Sequence, residues 1–562
     1  MMQKTKYILV AGALLSFAGA FAQQKNIDTI VFKVSEQYKP IVTDANKINS
    51  NPTIADTIRP VRKVDYQLIG NQYSTSYTPD ALQAVQIKGE PLDKLQHSLL
   101  NIGGGNYNTL YGEYFFNALR SRDFDYGIHL NHLSSDATLA NEGYSGYSYN
   151  DVNMYGKLFR DNHVIYVQGD FDQHVVHDYG YNTSLDQLSN ATTRQRFNLI
   201  DGLVQYTSHF KDSTAVNHDI KLSAYNYSDL YSVNENNIEA DAHLFSYIQH
   251  QRLDVKAFIQ DFADQTNNAN TSSVNMLFNP YFSTIEAHWD AHIGFKVYFT
   301  PLPSQFNVLP DLVVRYHVVP NVFIIYAGID GSKQYNSYKS LTAINPFMQD
   351  TMQQLYTLTS YHVFGGITGN ITTQLSYDIN GSQSEVKNMP LFVTDTLEPL
   401  RNRFAVVYDN VKVTNFHLDL NYEMNRDLHF TLGGDYNQYT PTNQLKAWYH
   451  PALKINLTGR YSINDKYIFS TEIFVLGSQY APTMVDGQVE AKQLDGYPDF
   501  NLGLDYRPSV VKVKDKKFTS NGNSRFLTIF LHLNNIANVA YNQWDNYPTQ
   551  RFNFMVGLRM SF

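Results

Sequence analysis

The stretch His288-Trp289-Asp290-Ala291-His292 is the densest set of metal-capable side chains in the sequence. On a strand, His288, Asp290 and His292 share one face, and Trp289 and Ala291 share the other. Imidazole and carboxylate donors in that arrangement suit a transition metal or an anionic ligand. Same-face neighbours on one strand lie about 7 Å apart, however, so three of them cannot close on one ion without donors from other strands. The expectation is therefore a polar cluster on an interior, lumen-facing stripe, with no metal. His174 and His177 stand at i and i+3 and face opposite sides of a strand. Gly103-Gly104-Gly105 has the look of a phosphate cradle, but no lysine or helical pattern follows it, and a bulge or tight strand bend is expected instead. The G-x-S-x-G nucleophile elbow is absent. No catalytic residue, cofactor or metal ligand is assigned, and the chain is not expected to be an enzyme. Tyr144, Tyr147, Tyr149, Tyr179 and Tyr181 crowd together near two long loops. They could stack on sugars or meet a partner protein; an interfacial aromatic girdle is the expected reading.

These residues sit on segments that alternate. In NFHLDLNYEM, Phe416, Leu418, Leu420 and Tyr422 oppose His417, Asp419, Asn421 and Glu423. In FLTIFLHLN, Leu527, Ile529, Leu531 and Leu533 oppose Thr528, Phe530, His532 and Asn534. In HVIYVQGDFD, Ile165, Val167 and Phe171 oppose Gln168, Asp170 and Asp172. At the C-terminus Phe562, Met560, Leu558, Val556 and Phe554 form an apolar face against Ser561, Arg559, Gly557, Met555 and Asn553. Mid-strand charges opposite a clean apolar face need water on one side. Tight connections (119–123, 159–163, 211–214, 250–251, 425–427, 464–466) alternate with long ones (134–146, 177–191, 332–358, 387–402, 480–496, 536–549). One rim of short turns and one of long loops is the pattern of a transmembrane barrel. A sandwich of this size would need several domains, and no linkers separate any. The expected fold is all-β, a transmembrane antiparallel barrel of about 22 strands over residues 97–562. The first strand, near SLLNIGGGN, and the region 283–310 are the hardest to divide and leave twenty or twenty-four strands open.

Composition agrees. The 562 residues include 42 Tyr and 34 Phe, yet mean hydropathy is negative, as expected when alternation dilutes the apolar residues. The net charge of −9 excludes nucleic acid as the main partner, and the absence of Cys excludes disulfides and thiol chemistry. Lys4 and Lys6, an apolar run from Tyr7 to Phe17 and the small residues Ala20 and Ala22 form a secretory signal over residues 1–22. Residues 23–96 are polar, carry prolines and hold no sustained period, and are expected to be an extended periplasmic segment.

The C-terminal stretch FLHLNNIANVAYNQWDNYPTQRFNFMVGLRMSF resembles the end of TonB-dependent receptors. The matching positions are Asn534, Asn535 and Asn538, then Tyr541, Arg551, Gly557 and the terminal Phe562. Twenty-two strands is also that family's barrel size. The wording QYKPIVTDANKINSNPTIADT is similar to plugless TonB-receptor-like proteins of the Bacteroidota. The resemblance implies a place in the Gram-negative outer membrane, with long loops extracellular and both barrel ends periplasmic. Lipid and the barrel-assembly machinery are the implied partners, the latter reading Phe562, Met560, Leu558, Val556 and Phe554, with other envelope proteins as further candidates. The family's folded plug has no counterpart in residues 23–96. Three functions stay open: a passive or weakly selective pore or envelope component, a structural subunit of an outer-membrane assembly or export complex, and a TonB-dependent uptake receptor.

Cleavage is expected between Ala22 and Gln23. Intact-mass measurement of protein from the native membrane should give a species lacking residues 1–22; retention of Met1 would refute it.

Overall fold

The computed structural model describes residues 95–562, apart from 120, 185–187, 213, 250, 266–269, 396–399, 509, 514–515 and 520–526. The signal sequence and all but the last two residues of the 23–96 segment lie outside the described residues. Among those described, twenty-two antiparallel strands form one sheet, and its first member, Ser98–Gly105, pairs with its last, Asn553–Ser561. The sheet is therefore a closed barrel. Closure is completed at the end of the chain, where Ser98 and Phe562 exchange backbone hydrogen bonds of 2.9 and 3.0 Å.

Alternation puts one face of each strand outward. Ile165, Val167, Ile200, Val204, Ile220, Leu222, Phe416, Val556 and Leu558 are exposed large apolar residues on that outer belt. Water would penalise such a surface; hydrocarbon buries it. The opposite face is polar and densely hydrogen-bonded. Glu113 accepts from Asn101, Tyr111 and, at 3.0 Å, His129. Asp254 holds His243 and Arg252, and Asp505 holds Arg559. His417 lies between Asp419 at 3.1 Å and Asp435 at 2.9 Å. The region 283–310 resolves into strands Asn270–Ile285, Trp289–Pro301 and Ser304–Val319.

The short-turn rim carries tight links, and at 464–465 both Asn464 and Asp465 adopt positive φ (50° and 53°), the backbone that a tight hairpin turn demands. One connection there, 507–526, is long and holds the hairpin Val510–Val513 with Lys516–Thr519. The opposite rim carries the loops 136–146, 178–193, 336–355, 395–403, 442–452, 477–496 and 535–552. Residues 387–394, expected in a loop, belong to the strand Leu375–Thr394. That strand and its partner Phe404–Asn425 are about twice as long as the roughly 9–11 residues a crossing needs. Their excess continues past the apolar belt on the long-loop side, where the outward positions change from Phe416 to Thr414 and Lys412.

The three glycines at 103–105 correct the expectation of a bulge. They run in regular register against both neighbours, with Gly103 opposite Gly557. Their small size serves close approach at the seam: a Cβ on Gly105 would stand 2.0 Å from the Phe554 carbonyl oxygen. The Phe530 ring, 1% exposed, covers Gly103 and Gly557 from inside the barrel. An aromatic laid over a cross-strand glycine pair supplies the packing that the glycines lack.

Gly557→Val should obstruct closure, because its Cβ would meet the Phe530 ring and the Ile102 carbonyl oxygen, both at 2.2 Å. Overpacking of this kind costs about 1–3 kcal/mol or more. The folded, heat-modifiable band on semi-native gels should fall well below wild type; an unchanged band would refute the seam argument.

Candidate functional site

A closed ring of twenty-two strands at ~4.8 Å spacing and ~40° tilt is roughly 40 Å across. From the wall, about six residues of extended chain reach the centre. Loops 336–355 and 535–552 are long enough to go in and return, and their composition suits burial more than solvent: Phe347 and Met348 in one, Trp544 and Tyr547 in the other.

They do fold inward. Tyr547, 1% exposed, stacks on Phe347 at 4.0 Å and meets Tyr179 edge-on at 4.8 Å. Its hydroxyl donates to the Asn402 carbonyl oxygen, and the Asn402 amide donates to the Asp178 carbonyl oxygen at 2.8 Å. Arg403 Nε donates to the Asp178 carboxylate at 2.9 Å. Asp178 follows the fifth strand, His163–His177, and Arg403 precedes the sixteenth, Phe404–Asn425. The fifth and sixteenth strands stand eleven positions apart on a ring of twenty-two, which is diametrically opposite. A contact between those loops therefore bridges the barrel mouth. Gly180 permits it, since a Cβ there would strike the Tyr547 ring at 2.3 Å.

Other loops complete the cap. The helix Tyr338–Ile344 starts at Ser337, whose side chain accepts from the Ser340 N–H at 3.1 Å. Tyr338, Leu341 and Thr342 share its buried face at i, i+3 and i+4. The Tyr338 N–H donates to Glu235 at 2.5 Å and its hydroxyl to Asp229 at 3.0 Å, fixing the helix to the barrel wall. Met348 and Phe404 form a parallel bridge, and Trp544 packs among Phe392, Phe404 and Tyr449. Val176, Phe197, Tyr227 and Trp448 join the same apolar cluster.

The packing leaves a cavity of about 320 Å3. Tyr147, Tyr149, Tyr179, Phe347, Trp544 and Tyr547 supply its aromatic surface, and Gln543, Gln550, Thr549, Ser145 and His177 its polar groups. Beside it, loop 136–146 docks through the Gly143 N–H onto the Tyr179 carbonyl oxygen at 3.0 Å. Burial of this loop pushes the Glu142 carboxyl up from its ordinary 4.5 to about 7.

The tyrosines expected in an interfacial girdle are corrected here. Tyr147 and Tyr149 share strand parity with the inward Asp151, and with Tyr179 they line the cavity. Tyr181 is 5% exposed, and Tyr144 packs edge-on against His177 at 4.7 Å. The HWDAH residues do not converge. His288 lies in the turn before the strand Trp289–Pro301. Asp290 pairs with Arg315 at 3.3 Å and His317 at 2.6 Å, while His292 pairs with Asp311 at 3.1 Å. Among the described residues no group of three or more such side chains could hold a metal ion. His174 and His177 also part, the first towards Asp151 and the second onto Thr193. Phe554, Val556 and Leu558 face outward on the last strand, and Phe562 is 54% exposed. Sequence reading missed the residues of the hub, Asp178, Phe347, Asn402, Arg403, Trp544 and Tyr547. The available signal was a pair of large aromatics in NQWDNYPTQ, a loop otherwise polar.

Fold and cap together define a lipid-facing, twenty-two-stranded β-barrel whose mouth is crossed by its own loops. No family model matches the sequence, and no curated protein matches it significantly. Solved structures share its fold. The FrpB iron transporter of Neisseria meningitidis superposes with a TM-score of 0.63 at 11% identity, over 84% of this chain and 82% of that one. The ferric enterobactin receptor PfeA of Pseudomonas aeruginosa gives 0.61 at 11%, over 84% and 81%. The ferric-catecholate import receptor Fiu of E. coli, in a closed form, gives 0.60 at 11%, over 84% and 82%. At such identity the likeness establishes a shared barrel fold.

The raised Glu142 carboxyl has a sign. A group that binds its proton more tightly in the docked state favours docking at low pH. The contribution is full below about 4.5 and is lost as pH rises through about 7. Hydrogen exchange in residues 137–146, corrected for intrinsic rates, should be slower at pH 5 than at pH 8. Glu142→Gln should remove the difference; a persistent difference would count against Glu142 as its source.

Proposed function

We propose that the protein is a plugless, TonB-receptor-like outer-membrane barrel of the Bacteroidota type, with long loops outside and both barrel ends periplasmic. Residues 1–22 are its signal peptide, residues 23–96 a periplasmic extension, and residues 97–562 the barrel. Its role is that of an envelope component whose lumen is closed at rest by its own loops. The observation that carries this reading is the bridge of Asp178 to Arg403 and Tyr547 across the mouth. Burial makes that bridge costly to break, because removing one partner of a buried ion pair costs about 3–5 kcal/mol. Such a cap offers neighbouring envelope proteins a rigid outer surface. Lipid covers the belt, and the assembly machinery reads the last strand through Phe562, Met560, Leu558, Val556 and Phe554.

A second reading, a weakly selective pore, is favoured by the polar lumen wall around Glu113, Asp254, Asp290 and Asp505. On that reading conduction waits on release of the cap. The third, TonB-dependent uptake, rests on fold likeness to a ferric-catecholate import receptor and a ferric enterobactin receptor.

Bilayer recordings should show full-length protein silent or nearly so, and Arg403→Ala/Tyr547→Ala conducting in open bursts. Steady conductance from the intact protein would replace this reading with the pore. A variant lacking residues 24–90 behind an intact signal should match the full-length trace; added conductance would assign part of the closure to the N-terminal segment. Native co-purification with mass spectrometry should recover stoichiometric envelope partners, and a lone barrel would argue against the scaffold role.

A further inference from the structure

The cavity under the cap has a composition that the closure of the barrel does not require. A cap needs apolar contact, and the Phe347, Tyr547 and Phe404 packing supplies it. The Tyr147 and Tyr149 side is different. The two rings lie 5.3 Å apart at a tilt of 43° and border the cavity with no stacked partner from the cap loops. Among the described residues, the Tyr149 hydroxyl has no hydrogen-bond partner within the protein. The Gln543 side-chain amide, at the same cavity, has none either among the described residues. Gln550 uses its amide N–H on Ser135 at 2.9 Å and keeps its carbonyl oxygen unbonded by protein. His177 lines the cavity too, held through Nδ1 on Thr193 at 3.1 Å.

The cavity thus combines aromatic faces with neutral donors and acceptors. No Lys, Arg, Asp or Glu is among its lining residues. The hub's charged pair, Asp178 with Arg403, is satisfied internally, and Glu142, on the loop docked beside the cavity, has its carboxyl pushed up by burial towards the neutral form. A ligand with net charge would be desolvated there without a counter-charge, at a cost of several kcal/mol. A purely apolar ligand would leave the Tyr149 hydroxyl and the Gln550 carbonyl oxygen unsatisfied. What fits both conditions is a flat molecule with apolar faces and a rim of uncharged hydroxyls. We propose that this cavity binds a neutral saccharide, with a pyranose ring against Tyr147 and Tyr149 and its hydroxyls shared among the Tyr149 hydroxyl, Gln543, Gln550 and His177. Its volume, about 320 Å3, stands at the lower end of the roughly 300–1,000 Å3 of small-ligand sites, so one or two sugar rings fill it. The site goes beyond the envelope role and does not depend on whether the barrel conducts.

The test uses the full mature protein, folded in a zwitterionic detergent so that no glycoside headgroup competes. N-acetylglucosamine, cellobiose and maltose are titrated by calorimetry and by intrinsic fluorescence, to which Trp544 in the cavity wall contributes. Glucuronate serves as the charged counterpart and indole as the neutral aromatic without hydroxyls. At least one neutral saccharide should saturate and outbind both comparators. Tyr149→Ala should weaken it about tenfold, the equivalent of ~1.4 kcal/mol. Gln543→Ala, at an exposed loop position with no side-chain partner among the described residues, should weaken it several-fold and leave heat-modifiability intact. Absence of saturable binding by every neutral saccharide would overturn the proposal. So would equal or tighter binding of glucuronate or indole, or unchanged affinity in well-folded Gln543→Ala and Tyr149→Phe variants.

Discussion

In hydrocarbon a backbone N–H or C=O without a partner costs several kcal/mol, and water is not there to supply one. A sheet in that medium has to close, and here closure falls on the outermost ends of the barrel segment. Ser98 meets Phe562. The glycines at the seam let two strands approach where side chains would hold them apart, and Phe530 fills the resulting groove from inside. Every other feature of the molecule follows from that ring. Its circumference is set by strand number and tilt, and a ring of this circumference encloses a wide gap.

The gap explains the loops. On an ordinary rim, connections of this length would be polar and free to vary. These carry Phe347, Met348, Trp448, Trp544 and Tyr547, all of which the cap buries or half-buries. The hub is held by two kinds of interaction that reinforce each other. Aromatic contacts are adaptable in direction, and the ion pair and hydrogen bonds at Asp178 are directional. Together they join loops from nearly opposite walls, which a purely apolar contact would do with less definition. The cavity beside the hub lies where this packing meets the inward tyrosines of the strand Tyr147–Arg160, and where loop 136–146 docks.

The lumen wall illustrates how a closed sheet redistributes chemistry. Asp290 and His292 sit side by side in the sequence pattern, and each is consumed by a neighbour on the adjoining strand. Cross-strand partners at ~4.5–5.5 Å are nearer than same-strand neighbours at ~7 Å, and for Asp290 and His292 the pairing runs across the ladder. His417 pairs both ways, across the ladder with Asp435 and along its own strand with Asp419. Solved receptors and transporters with the same barrel, at about a tenth identity, indicate that this wall tolerates nearly complete replacement of its residues. What distinguishes one such barrel from another is carried by its loops and lumen.

The alternation in segments such as NFHLDLNYEM and RFNFMVGLRMSF determined by itself that this chain is a barrel in lipid, because period 2 with one apolar face has few other solutions at this length. Strand number followed from the rhythm of connections, and the direction of inward and outward residues followed from parity. Tertiary structure decided what parity and rhythm do not encode. Whether Tyr147 and Tyr149 form a girdle or a cavity wall depends on which side of the sheet the loops fold to. Whether HWDAH gathers a metal depends on the residues opposite it in the next strand. Whether Gly103–Gly105 bends or simply admits a neighbour depends on the strand from the far end of the chain. The cap is the clearest case: Asp178 and Arg403 are 225 residues apart, and they become neighbours only because a closed ring returns the chain to face itself across the mouth.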